Sequence, residues 1–166
     1  MNAIMRVMAA VSDSKLEFIR AKPEDGGEVL DWIRAYYTYD HIEFKAEQLG
    51  KHLSELLKNE GNGLVYFVEQ AGKRIGYFIF TYAFDLEFGG RHAMVTDLFF
   101  EASTRRTGAG TKTIQFIEKL CAAQNLTHLL LQVETDNEEA KAFYRKSKFT
   151  ILTRHILKKE LESKSS

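Results

Sequence analysis

The stretch Arg105-Arg106-Thr107-Gly108-Ala109-Gly110 (RRTGAG) decides how the chain is read. It follows the apolar run VTDLFF (95–100) and leads into the helical run TKTIQFIEKLCAA (111–123), so it joins a strand to a helix. Two glycines there can relieve strain in a turn, or they can let a ligand approach the main chain. A Walker loop would need a Lys-Ser or Lys-Thr pair after its second glycine, whereas Thr111 follows Gly110 directly. A dinucleotide fingerprint would need a third glycine where Thr113 stands, and too little chain follows for a doubly wound domain. What remains is a run of N–H groups at a helix N-terminus with Arg105 and Arg106 beside it, an anion site suited to a pyrophosphate.

Upstream, LEFIRAK (16–22) reads as a first strand that ends at the only proline, Pro23. Val29, Leu30, Ile33, Tyr36 and Tyr37 then recur at helical spacing, and Leu49, Leu53, Leu56 and Leu57 mark a second helix. GLVYFVEQ, the turn AGK and RIGYFIFTYAF read as a hairpin, and DLEFGG turns the chain into a third antiparallel strand, RHAMVTDLFF. After RRTGAG comes a helix with Ile114, Ile117, Leu120 and Cys121 inward, then the near-continuous apolar strand THLLLQVE (127–134). NEEAKAFYRKS predicts a short helix, with Asp136 and Glu139 at capping-box spacing, and FTILTRHILKK a last strand. The order β-α-α-β-β-β-α-β-α-β implies an α/β (α+β) fold: a mixed, mostly antiparallel sheet flanked by helices.

The chain has 166 residues, and the reading places one domain over residues 16–160, a disordered leader over 1–15 and a tail over 161–166. Net charge is zero, so the basic excess of a nucleic-acid reader or anionic-membrane binder is missing, and no apolar run approaches a span of about 20 residues. Cys121 is the only cysteine, and the histidines fall in no zinc-type spacing; a reducing, cytoplasmic compartment and no structural metal are expected.

VTDLFF-EAST-RRTGAG resembles the strand, spacer and R/Q-x-x-G-x-G/A loop of the GNAT superfamily of acyl-CoA-dependent N-acyltransferases. NEEAKAFYRKSKF is similar to that family's N-x-x-A-x-x-F-Y-x-x-x-G-F helix, except that Lys148 stands where glycine is usual. The resemblance implies acetyl-CoA as cofactor, its pyrophosphate on the N–H groups of Arg106, Thr107, Gly108, Ala109, Gly110 and Thr111, with charge-assisted contacts from Arg105. It implies that backbone groups of Leu98, Phe99 and Phe100 receive the pantetheine amides. Asn137 would bond the cofactor arm or cap its helix, and Tyr144 would protonate the leaving thiolate or simply pack as a core aromatic.

Within the superfamily the chain looks most like the diamine (spermidine/spermine) N-acetyltransferases: YDHIEF resembles their acidic loop, and TYAFDLEFGGRHAMVTDLFF their TYD…EDFF strand pair. Thr96-Asp97 stands where those enzymes carry Glu-Asp, so Asp97 receives the amine's proton through water, or the substrate's own solution equilibrium supplies the free amine and Asp97 is a structural acceptor. Tyr36, Tyr37, Tyr39, Asp40 and Glu43, and again Asp85, Glu87 and Phe88, concentrate acidic and aromatic character; they line a cleft for a cationic amine or form a solvated face. Tyr39, Asp40, Glu43, Phe88 and Thr96 are the substrate-binding candidates. Family habit adds a homodimer and a small-molecule amine as partner, with an acyl-CoA-binding module lacking catalysis, or an enzyme acting on a peptide amine, as alternatives.

Overall fold

The computed structural model describes residues 15–161; the expected leader through Ser14 and the tail from Glu162 lie outside the described residues. The chain forms two compact units, the first ending at Gln132. The first contains β1 (Leu16–Arg20), a 3₁₀ turn at Pro23–Asp25, α1 (Gly26–Tyr39), α2 (Ala46–Lys58), β2 (Gly63–Gln70), β3 (Lys73–Asp85), β4 (Gly90–Phe100), α3 (Ala109–Ala123) and β5 (Leu129–Leu131). The second contains α4 (Glu138–Lys146).

The five strands lie in sequence order, antiparallel from β1 to β4, with β5 parallel to β4. Ala71 and Gly72 both take positive φ (52° and 73°), which is the backbone that a tight hairpin turn between β2 and β3 requires. Side-chain alternation then gives the sheet two apolar faces. On one, Val65, Phe67, Tyr77 and Ile79 pack with Val29 and Ile33 of α1 and Leu53 of α2. On the other, Phe116 of α3 stacks on Phe18 at 4.1 Å and meets the rings of Tyr66 and Phe78 at 5.5 and 6.2 Å. A fully buried aromatic such as Phe67 or Phe78 contributes roughly 1.5–3 kcal/mol.

Two details of β4 prepare the site. Its pairing with β3 is continuous except at Thr96, where Ile79 opposes Asp97 but Phe80 opposes Val95. Thr96 is therefore a bulge, and it shifts the alternation so that Asp97 joins Ile79 on the α1/α2 face while Val95 stays with Phe80. The pairing with β5 is short: Ala93–Val95 against Leu129–Leu131. Among the described residues no strand pairs with that edge of β4 beyond Val95, so residues 97–100 keep one side without a ladder, where only Phe100 O is taken, by Arg105 Nε.

The expected strand over 127–134 is thus only three residues long, and the expected last strand is not formed. Residues 149–161 have no regular structure and expose apolar groups, Ile156 by 68% and Leu157 by 91%. FTILTRHILKK has the composition of a strand, but a strand exists only through a ladder partner, and this segment has none among the described residues.

No helix among the described residues is long and apolar enough to cross a membrane.

Candidate active site

The chain leaves β4 through a 3₁₀ turn at Ala102–Thr104, tied by the Thr104 hydroxyl donating to Glu101 O (2.9 Å) and the Thr107 hydroxyl donating to Thr104 O (2.8 Å). Arg106 and Gly108 then take positive φ, 63° and 87°. Gly108 is the N-cap of α3, and the first main-chain bond closing the helix is from Lys112 N–H to Gly108 O at 3.1 Å. The N–H groups of Ala109, Gly110 and Thr111 therefore have no intrahelical acceptor. No side chain caps them, and the first turn holds no acidic residue that would neutralise the helix end. A Cβ on Gly108 would meet no heavy atom within 4 Å, so the space above this glycine is open. An open, positive, glycine-capped helix end beside an unpaired strand edge fits the diphosphate and amide-bearing arm of coenzyme A.

Arg105 points elsewhere than the sequence suggested. Its guanidinium lies over the ring of Tyr39 (4.0 Å) and near Phe99 (5.6 Å), while Nε donates to Phe100 O at 3.3 Å. Arg105 thereby joins the loop to an aromatic group built around Phe99, whose ring centroid stands 5.8 Å from Tyr36, 6.1 Å from Tyr39, and 6.5 Å from both Trp32 and Tyr77.

Asp97 is the carboxyl of this group. It accepts a hydrogen bond at Oδ2 from the Tyr77 hydroxyl, 2.7 Å away, and burial raises its pKa above the usual carboxylate value, opposed by hydrogen bonds from Tyr77 and Thr96. Burial also raises the phenols of Tyr36 and Tyr37, and nearby Asp97 adds to both shifts, with Asp40 adding to that of Tyr36. Neutral hydroxyls and ring faces thus surround a half-buried acid, and one of those faces, Tyr39, already carries the Arg105 guanidinium, as a site that attracts cations would.

The other candidates are distributed unevenly. Tyr39 ends α1; Asp40 follows it and hydrogen-bonds Tyr36 through its side chain. Glu43 is exposed and pairs with Lys45 at 3.1 Å, and Thr96 is exposed at the bulge. Phe88 is not brought to this group: it lies in the β3–β4 turn against His92 and His128 (5.4 and 5.5 Å), and Asp97 is roughly 20 Å along β4 at about 3.3 Å per residue. Cys121 is buried, and burial raises its thiol, which suits packing and not nucleophilic chemistry.

In the second unit, Asn137 is the N-cap of α4, accepting from Ala140 N–H at 3.0 Å; Asp136, the expected capping residue, gives way to it. Lys148 takes φ 65°, and bonds from Lys148 N–H to Arg145 O (3.0 Å) and Phe149 N–H to Tyr144 O (2.9 Å) form a Schellman end. The lysine thus adopts the left-handed backbone for which glycine is favoured. Tyr144 packs between Phe143 and Phe149, and burial pushes its phenol up to about 12.

Sequence reading missed Tyr77 and Trp32. Trp32 lies one turn before Tyr36 on α1, a spacing that could have flagged it; Tyr77 reaches Asp97 only through the strand register, which no residue type marks.

The family model of the GNAT acetyltransferases matches residues 27–149. Among solved structures, a possible acetyltransferase from Clostridium difficile 630 is 19% identical, with a TM-score of 0.77 over 89% of this chain and 99% of that one. An aminoglycoside acetyltransferase from an uncultured soil metagenomic sample, in complex with sisomicin, is 19% identical, with a TM-score of 0.73 over 89% and 97%. A predicted acetyltransferase with acetyl-CoA from Clostridium acetobutylicum is 14% identical, with a TM-score of 0.74 over 87% and 96%. At these identities the likeness is one of fold. No curated protein matches the chain significantly.

Proposed function

The chain belongs to the GNAT family of acetyl-CoA-dependent acetyltransferases, and from that premise we propose that it acetylates a primary amine of a small cationic substrate by direct transfer. One observation carries the reading: Asp97, ringed by aromatic side chains, stands at the start of the open β4 edge that runs into the Gly108-capped helix. Acetyl-CoA supplies the activated acyl carbon that an amine attacks. The N–H groups of residues 106–111 hold its anionic end, and the main chain of Leu98, Phe99 and Phe100 orients its arm. Phe99 and Tyr36 shield the acid from water and favour an ammonium, and Asp97 takes the proton that makes the amine nucleophilic.

Tyr144 holds the proton that the departing thiolate needs. A phenol pushed up to about 12 is protonated throughout the neutral range, as an acid must be, but it releases its proton less readily than free tyrosine. Its match to an alkyl thiol is therefore less even than that of an ordinary phenol near 10.

A diamine or polyamine fits because Asp40 and Glu43 offer further carboxylates just beyond α1, within the segment YDHIEF that resembles the acidic loop of diamine acetyltransferases. An aminoglycoside, the ligand class of one structural relative, is a polycation of the same kind. The lone, buried Cys121 suits a reducing compartment, in keeping with a cytoplasmic enzyme.

The test is CoA release from acetyl-CoA with 1,4-diaminobutane, spermidine, lysine and sisomicin, using wild type and Tyr144→Phe. Turnover with a polycation and its loss in Tyr144→Phe are expected. Tight acetyl-CoA binding without turnover of any amine would leave a binding module in place of the enzyme.

A further inference from the structure

Asp97 belongs to β4, but what orients it comes from β3. Tyr77 is fully buried, and its hydroxyl donates to Asp97 Oδ2 at 2.7 Å. The ring is fixed by Trp32 at 6.3 Å and Phe99 at 6.5 Å, and by Phe67, which opposes it across the β2–β3 register. Resting on the acetyltransferase reading above, we propose that Tyr77 is a positioning residue, which holds Asp97 through Oδ2 and so presents Oδ1 to take the proton of the acceptor amine.

The chemistry favours a phenol in this place. A carboxylate accepts at both oxygens, and left to itself in a half-buried site it can rotate either one toward the ligand. A tyrosine has one hydrogen to give; once it is given to Oδ2, that oxygen is held by a fully buried side chain and the other is left for the ligand. Burial, reinforced by Asp97 itself, raises the Tyr77 phenol far above its ordinary value, so it never ionises to repel the acid that it holds. In the proton step an N–H bond of the ammonium breaks, an O–H bond forms at Oδ1, and the electron pair stays on nitrogen; Tyr77 keeps its own proton throughout.

The titratable groups facing Asp97 are Tyr77 from β3 and Tyr36 and Tyr37 from α1, with the Thr96 hydroxyl beside it; the charges nearby are Asp40, bonded to Tyr36, and the Arg105 guanidinium, over Tyr39 and near Phe99. Of these, Tyr77 does most to stabilise the ionised carboxylate against burial. Removing its hydroxyl should raise the pKa of Asp97 further.

The experiment compares full-length wild type, Tyr77→Phe and Asp97→Asn. The ¹³C signal of the Asp97 carboxyl, recognised by its disappearance in Asp97→Asn, is followed against pH, and kcat/KM for 1,4-diaminobutane and for spermidine is measured over the same range. In Tyr77→Phe the carboxyl midpoint is expected to rise by about one pH unit, and the acid limb of kcat/KM to move with it. That means about tenfold lower activity on the acid side, recovering toward the wild-type value as pH rises. An unmoved midpoint, or an activity loss equal at every pH, would overturn the role assigned to Tyr77. Wild-type protein inert toward both amines would instead overturn the diamine and polyamine acceptor reading on which this role rests.

Discussion

Replacing Gly108 by alanine separates two costs that usually arrive together. Gly108 has φ 87°, where an L-residue places Cβ against its own backbone; the penalty is about 1–2 kcal/mol. Nothing else among the described residues resists the methyl, because the ideal Cβ position has none of their heavy atoms within 4 Å. For a chain of this size a loss of that amount lowers Tm by roughly 2–8 °C. The backbone strain is present with or without ligand, so it cancels from the affinity. What does not cancel is the methyl itself, standing in the open space over the helix end where the diphosphate of coenzyme A is to lie. CoA affinity should therefore fall at least about tenfold, or about 1.4 kcal/mol. Gly72 provides a matched control: φ 73°, likewise nothing within 4 Å of its Cβ, but in the β2–β3 turn. Gly72→Ala should lower Tm by a similar amount and leave CoA binding alone. The assay is thermal unfolding of both variants together with calorimetric titration of CoA. Equal CoA affinity in Gly108→Ala, Gly72→Ala and wild type would refute the placement of the anion site.

Lys148→Gly should stabilise the C-terminal end of α4, since Lys148 already holds a Schellman conformation at φ 65°; a gain of about 1 kcal/mol, seen as a higher urea midpoint, is expected, and no gain would mean that the turn does not form. Gly76→Ala should prevent stable folding, because its Cβ would collide with Phe99 O and lie 2.6 Å from the Phe100 ring; a soluble variant with wild-type Tm would contradict the β3–β4 register. Asp97→Asn should be more stable than wild type at neutral and alkaline pH. Burial raises the folded-state pKa of Asp97, so the stability carried by its protonated form is complete below the unfolded pKa and disappears as pH rises through the folded one. Asparagine keeps an acceptor for Tyr77 without the buried charge, so the gap in Tm should widen from acid to alkaline pH, and a pH-independent gap would count against the burial of this carboxyl.

How much of this could be read in advance depends on whether a feature is local. RRTGAG announces a strand-to-helix junction because glycine spacing and apolar period are properties of a short segment, and the helix begins at Ala109 as that reading requires. The apolar run THLLLQVE reports burial but not pairing, and its ladder covers only Leu129–Leu131. FTILTRHILKK has the strand pattern without the partner. Asp97 is the instructive case. Simple alternation places it on the same face as Val95, toward α3 and away from the aromatic side chains of α1. The bulge at Thr96 reverses that, and neither Thr96 nor its neighbours differ from ordinary strand residues; the extra residue is defined only by counting β4 against β3. The same count sets Tyr77 opposite Phe99 and brings its hydroxyl to the carboxyl. A carboxyl, a phenol and a ring hub from three elements therefore converge through one irregularity of register. For that reason deleting Thr96 should do more harm to amine turnover than replacing it with alanine, since deletion restores the alternation and turns Asp97 to the wrong face.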